Sequence, residues 1–155
     1  MRRYAALFRE RKGFSMLEMV VVLILLAILG SFVLIKFTTS NVELIVQADI
    51  LKSHLRYAQI KAMNDTVTWG ISFSTATTYT LQRSGITAPS SHNLPGDNSQ
   101  THTLTNGVTI TSGVGTSVAF NEWGSPGGAD FEVWLSTSQG SPSRITVTKN
   151  TGFIP

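Results

Sequence analysis

Apolar residues fall along this chain in three successive patterns. The first is unbroken: from Met19 to Ile35, seventeen residues pass without a charge. A helix rises about 1.5 Å per residue, so this run covers roughly 26 Å, and Phe14 to Ile35 roughly 33 Å, against a bilayer hydrocarbon core of about 30 Å. The second pattern is periodic. Leu44, Ala48, Leu51, Leu55, Ala58 and Ala62 recur in steps of 4, 3, 4, 3 and 4, which draws one apolar stripe on an amphipathic helix. Asp49, Lys52, Arg56 and Lys61 fall off that stripe, toward water or a second partner. Asn64 and Asp65 end the pattern, so the two stretches predict one long helix from about Phe14 to Met63. The third pattern begins at Thr66, where β-branched residues take over. "TVTWGISF" and "TYTLQR" read as a strand pair with Val67, Trp69, Ile71 and Phe73 on one face. "GVTI", "SVAFNEW", "DFEVWLS", "SRITVTKN" and "GFI" follow at short spacing. Residues 84–103 are polar and rich in Ser, Gly and Pro, and are expected to form an exposed loop. "NEWGSPGGAD" and "STSQGSPS" supply further turns. The three Trp residues, Trp69, Trp123 and Trp134, are expected in the core or on a sheet face, with Trp123 beside a Gly-rich turn also suited to an interface.

These patterns predict an α+β protein. A long N-terminal helix, half membrane-type and half amphipathic, packs on an antiparallel β-sandwich-like C-terminal domain. The expected divisions are a basic leader at 1–13, a transmembrane segment at 14–37, an amphipathic helix at 38–65 and a β domain at 66–155. The globular unit would run from about 38 to 155.

Two other readings of the apolar run fit less well. A secretory signal peptide has an apolar core of about 7 to 15 residues and ends in small residues at its cleavage site. Here the run is longer, and its exit, "LGSFVLIKFTTS", has no convincing small-x-small site. A buried core helix is seldom Val, Ile and Leu all round with a basic flank. Arg2, Arg3, Arg9, Arg11 and Lys12 precede the run and bias that end to the cytoplasm, which places the remainder outside it. Glu18 stands at the mouth of the run. A carboxylate in lipid costs on the order of a few kcal/mol, so it marks a function and requires a partner, unless it stays hydrated at the interface.

Charge sharpens the division. Residues 1–13 hold five Lys and Arg against Glu10 alone, a balance of +4, whereas residues 14–155 hold seven against eight acidic residues, a balance of −1. The basicity belongs to the leader, and without it the chain has no electrostatic reason to seek phosphates. With no cysteine in the sequence, disulfides, thiolate metal sites and cysteine nucleophiles are excluded.

"KGFSMLEMVVVLILLAILG" resembles the class III signal of type IV pilins and type II secretion pseudopilins. The resemblance implies that a membrane prepilin peptidase cuts after Gly13 and that Phe14 becomes the N-methylated N-terminus. Glu18 is then the fifth residue of the mature chain. Met16 departs mildly from the leucine or threonine common at its position. In this family the carboxylate corresponding to Glu18 meets the α-amine of a neighbouring subunit, so that two charges neutralise each other among packed helices. The β region, with "VAFNEWGSPGG", a Gly-containing hairpin and a last strand running into a terminal glycine, is similar to the GspH/FimT group. These are the H-type minor pseudopilins of type II secretion and FimT-like minor pilins. The implied function is that of a structural subunit assembling into or priming a periplasmic pseudopilus or type IV pilus. The partners implied are other pilin or pseudopilin subunits, the prepilin peptidase and the bacterial inner membrane. The alternative is a FimT-like module that binds DNA or a secreted substrate. Some such pilins bind DNA through a C-terminal Gly-Arg-x-Arg pattern. Here the stretch is "NTGFIP", with Phe153 and Pro155 where arginines would stand and only Arg144 and Lys149 nearby, so DNA is not expected.

Catalytic chemistry is not expected. His54, His92 and His102 share no ligand spacing, and no zinc-protease motif, nucleophile elbow or phosphate-cradling loop occurs. His92 and His102 fall in the polar loop and are expected to be solvated. Asp97, Glu122 and Asp130 sit in or near loops, where carboxylates could take calcium, but a calcium site is not expected. The expectation is no cofactor and no metal.

Overall fold

The computed structural model describes residues 13–138 and 140–155, with the side chains of 31–41 excepted. The expected leader therefore lies outside the described residues apart from Gly13. The side chains of 31–37 in the expected membrane segment lie outside them too.

Among the described residues one helix, α1 (Met16–Met63), is followed by eight strands: β1 (Trp69–Ser72), β2 (Thr78–Arg83), β3 (Ile86–Thr87), β4 (Thr101–Thr103), β5 (Thr109–Ser112), β6 (Ser117–Phe120), β7 (Phe131–Ser136) and β8 (Ser143–Val147). The chain is α+β, with antiparallel sheets in its C-terminal part. It divides into two compact units, Met1–Lys36 and Phe37–Pro155. In the first, the apolar side chains from Phe14 to Leu29 are exposed on every side of the helix. Among the described residues, no helix is long and apolar enough to cross a membrane.

The second unit is built on the periodic stripe. Leu44, Ala48, Leu51, Leu55, Ala58 and Ala62 are all buried, the last four completely. Two polar residues share that face. Gln47 and His54 stand three positions after Leu44 and Leu51, and both are buried, as i, i+3 spacing on one helix surface requires. The helix stops where its backbone finds side-chain competitors. The Asn64 side chain donates to the Ile60 carbonyl at 2.8 Å, while the Asp65 carboxylate turns away to accept from the Thr66 amide at 2.8 Å.

Two antiparallel sheets face this core. One has the order β3-β2-β1-β6, with β4 also paired to β2, and the other the order β5-β7-β8. Trp69, Ile71 and Phe73 are buried and Val67 packs against them, so the alternation at the start of the β region places its residues on one face. Trp134 is half-buried, whereas Trp123 is 79% exposed and lies outside the core. Beyond the ladders, Phe73 stacks on Phe131 with ring centres 5.6 Å apart.

Residues 84–103 are not simply an exposed loop. They contain β3 and β4, and Ala88, Leu94 and His102 are buried. The ladder explains the difference: β2 takes β4 beside it in the register Tyr79↔His102, and the Leu81 amide donates to the Gln100 carbonyl at 2.8 Å. Short polar strands of this kind carry no apolar alternation of their own. They are ordered by the backbone groups of a strand already in place.

The C-terminal tail closes against α1. Arg56 donates to the Ile154 carbonyl at 2.8 Å, and Gln59 to the carbonyls of Gly124 at 2.8 Å and Gly152 at 3.0 Å. Gly152 has φ of +66°, and a Cβ there would run into the Gly124 carbonyl, so the turn admits only glycine. This contact brings the chain end to the helix.

The end of α1 is tied to the sheet by charge. Asp65 accepts from the Arg83 guanidinium at 3.0 Å and from the Trp69 indole at 3.0 Å. Arg83 first, then Trp69, lowers the Asp65 carboxyl from 3.8 to about 2. A carboxylate whose pKa is depressed by folding adds stability above its unfolded value, near 4, and loses it as pH falls through the folded value. Asp65→Asn should therefore lower the thermal midpoint at pH 7. The gap to the parent chain should narrow between about pH 4 and pH 2 and close below that. Melting curves across this range test the point, and a pH-independent gap would rule out the charge as its source.

Candidate processing and assembly site

Gly13 and Phe14 lie just before the first turn of α1. Phe14 is 79% exposed. The Ser15 carbonyl accepts from the Met19 amide at 3.1 Å, which makes Ser15 the residue at the helix boundary. "SMLE" then has the Ser-x-x-Glu spacing of a helix start, and the sequence could have signalled this on its own. Glu18 falls in the first turn, where a negative charge complements the helix dipole. Gly13 has an ordinary φ, and a Cβ there would meet nothing within 4 Å. Among the described residues, nothing around Gly13 would obstruct a larger side chain. The three residues are thus gathered at one exposed helix start.

A second gathering of polar groups lies in the Phe37–Pro155 unit, beneath α1. His54 is 1% exposed and His102 9%. His54 Nδ1 is 2.8 Å from the Tyr79 hydroxyl and Nε2 is 2.8 Å from the Pro95 carbonyl. A carbonyl can only accept, so Nε2 carries the proton and Nδ1 accepts from Tyr79. Burial pushes the His54 pKa down, against the opposing pull of the Pro95 carbonyl. It pushes the Tyr79 hydroxyl far up. Both groups are held neutral. His102 Nδ1 faces the Asp97 carboxylate at 2.7 Å and Nε2 faces the Gln47 side-chain oxygen at 3.2 Å. Gln47 in turn donates to Thr105 Oγ1 at 3.0 Å. The His102 ring stacks on Tyr79 with centres 5.0 Å apart.

Sequence spacing gave no reason to join His54, Asp97 and His102, yet the fold brings them together, and His102 is not solvated as expected. The missed signal is a polar residue at a core position of a helix stripe, which must find a buried partner. His92 is also only half-exposed, its ring 5.1 Å from that of Trp69. Glu122 and Asp130 are exposed and do not join Asp97. Asp130 instead accepts from the Lys149 amide at 2.7 Å. Arg144 lies over the Trp134 ring and 3.4 Å from Glu132.

Residues 8–34 match the family described as the prokaryotic N-terminal methylation motif. The match spans Gly13, Phe14 and Glu18 and supports a type IV pilin-like protein. It is consistent with prepilin-peptidase processing and with assembly among pilins, and it suggests inner-membrane anchoring before processing. No curated protein and no solved structure matches the chain.

Because Gly13 has open space around it, Gly13→Val should leave the circular dichroism and thermal midpoint of the chain unchanged. In cells with an active prepilin peptidase, the same variant should accumulate as the longer, uncut form on gels. Normal cutting of the variant would remove Gly13 from the recognised junction.

Proposed function

We propose that this chain is a minor pseudopilin or minor pilin of the GspH/FimT kind. It is a structural subunit that joins or primes a pseudopilus or type IV pilus, for protein secretion or pilus biogenesis. The observation that carries this reading is the methylation motif at 8–34, with its Gly13–Phe14 junction at an exposed helix start and Glu18 in the first turn. Apolar side chains exposed all round the helix from Phe14 to Leu29 need cover from outside the chain. The inner membrane supplies it before assembly and the helices of other subunits afterwards. Before processing the N-terminus is cytoplasmic, and the C-terminal domain, with its two sheets in a sandwich-like arrangement, is periplasmic or part of an extracellular filament. The Glu18 carboxylate pairs with the new α-amine of Phe14 in a neighbouring subunit, and such a buried pair fixes register more surely than it adds stability. The chain is a substrate of processing chemistry and not an enzyme.

Cutting between Gly13 and Phe14 is the outcome expected from N-terminal mass spectrometry of membrane-extracted protein, with a methyl group on the Phe14 amine. An intact Met1 start in cells with active peptidase, or a cut beyond residue 30, would sink the reading.

A role as a DNA-binding module has less support. Binding to phosphates needs clustered cations and weakens steeply as salt rises. Arg56, Arg83 and Arg144 are engaged with Ile154, Asp65 and Glu132, and Lys61 lies over the rings of Tyr57 and Trp69. A fragment beginning near Thr38 is expected to stay soluble and to shift duplex DNA weakly or not at all near physiological salt. Micromolar binding that weakens with salt, and again on Arg144→Ala or Lys149→Ala, would establish the DNA-binding role instead.

A further inference from the structure

The buried polar cluster takes no part in processing or assembly as proposed above. His54, Asp97 and His102 come from α1, the segment between β3 and β4, and β4 itself. Each offers one ligand-type atom, and these atoms all lie within 4.8 Å of one another. Beside them is a cavity of about 130 Å³ lined by Ile50, His54, Pro95, Gly96, Asp97 and His102. We infer that this cluster binds one divalent transition-metal ion of the zinc class, through a ring nitrogen each of His54 and His102 and a carboxylate oxygen of Asp97.

The donor set selects the metal. Two imidazoles and one carboxylate suit zinc, iron(II), cobalt, nickel or copper, whereas calcium and magnesium take sets made of oxygen. Burial keeps the His54 imidazole neutral, the form that binds metal. Zinc bonds of about 2.0–2.1 Å in tetrahedral geometry place ligand atoms roughly 3.3 Å apart. The cluster reaches that spacing by side-chain adjustments on the order of an ångström: the His102–Asp97 pair opens slightly and the wider separations close. Ring nitrogens not used by the metal keep partners that orient the imidazoles. For His54 these are Tyr79 or Pro95, and for His102 Gln47. Three protein ligands leave a fourth position open. The cavity, about 130 Å³, is larger than the roughly 30 Å³ share of one water, so a water completes the shell. The ion would clamp the Pro95–Asp97 segment to the helix and to β4.

The competing account is a metal-free core in which His102 and Asp97 form a hydrogen-bonded ion pair. The full-length chain, untagged, in detergent and stripped by a chelator, separates the two. Calorimetric titration should find one zinc ion per chain at micromolar or tighter affinity, with a rise in thermal midpoint. Cobalt should give visible d–d bands that zinc abolishes, and calcium and magnesium should do neither. His102→Gln and Asp97→Asn keep hydrogen-bonding groups and should weaken zinc by about tenfold or more, while His92→Gln should not. Should either cluster variant fail to fold, long-range proton–nitrogen spectra of the parent chain decide, because zinc must move the ring-nitrogen resonances of His54 and His102 and leave those of His92. Absence of saturable zinc or cobalt binding by the folded parent chain, undiminished affinity in both cluster variants, or unmoved resonances of His54 and His102 would each overturn the site.

Discussion

Burial of the Leu44–Ala62 face of α1 is the constraint on which the Phe37–Pro155 unit depends. Full burial of a leucine side chain contributes about 1.5–3 kcal/mol. Leu51 and Leu55 are completely enclosed, with Ala58 and Ala62 continuing the face toward the helix end. Everything else on that face must then be reconciled with an apolar, water-poor surrounding. Gln47 and His54 cannot be left without partners there, because an unpaired buried polar group costs on the order of 1–3 kcal/mol. The Tyr79 hydroxyl, the Pro95 carbonyl, Thr105 and the His102–Asp97 pair meet that need. They also fix the path of the segment between β3 and β4.

The apolar stretch at the start of α1 obeys a different rule. From Phe14 to Leu29 its apolar residues point in all directions and find no cover within the described chain. A helix of this kind is soluble in lipid or among other such helices, and its surface gives no direction to its packing. Direction has to come from a polar feature. Glu18, in the first turn and just beyond the proposed junction, is the polar feature in this stretch, and a carboxylate in such surroundings has few acceptable partners. The proposed pairing of Glu18 rests on that constraint.

The tail and the helix end show how polar contacts finish what apolar burial begins. Arg56 and Gln59 each follow a residue of the apolar stripe by one position and reach backbone carbonyls of Ile154, Gly124 and Gly152. Asp65 joins the last turn of α1 to β1 and β2 through Trp69 and Arg83. None of these contacts needs large area. Each removes an alternative path for the chain at a point where backbone groups would otherwise remain unpaired.

The sequence by itself determined the helix, its apolar and amphipathic parts, the stop at Asn64 and Asp65, and the methylation motif matched at residues 8–34. Periodicity and junction motifs are local, and each of these features is complete within a few turns of chain. The β1–β2 pair was legible for the same reason, through the alternation of Val67, Trp69, Ile71 and Phe73. What tertiary structure alone decided was non-local. Thr101–Thr103 became a strand because β2 offered an unpaired edge. Trp123 was left exposed although Trp69, an equally apolar residue, was enclosed. His54, Asp97 and His102 came together across 48 residues of chain. No spacing rule links such residues, because their meeting depends on where a helix face, a loop and a strand come to rest against one core.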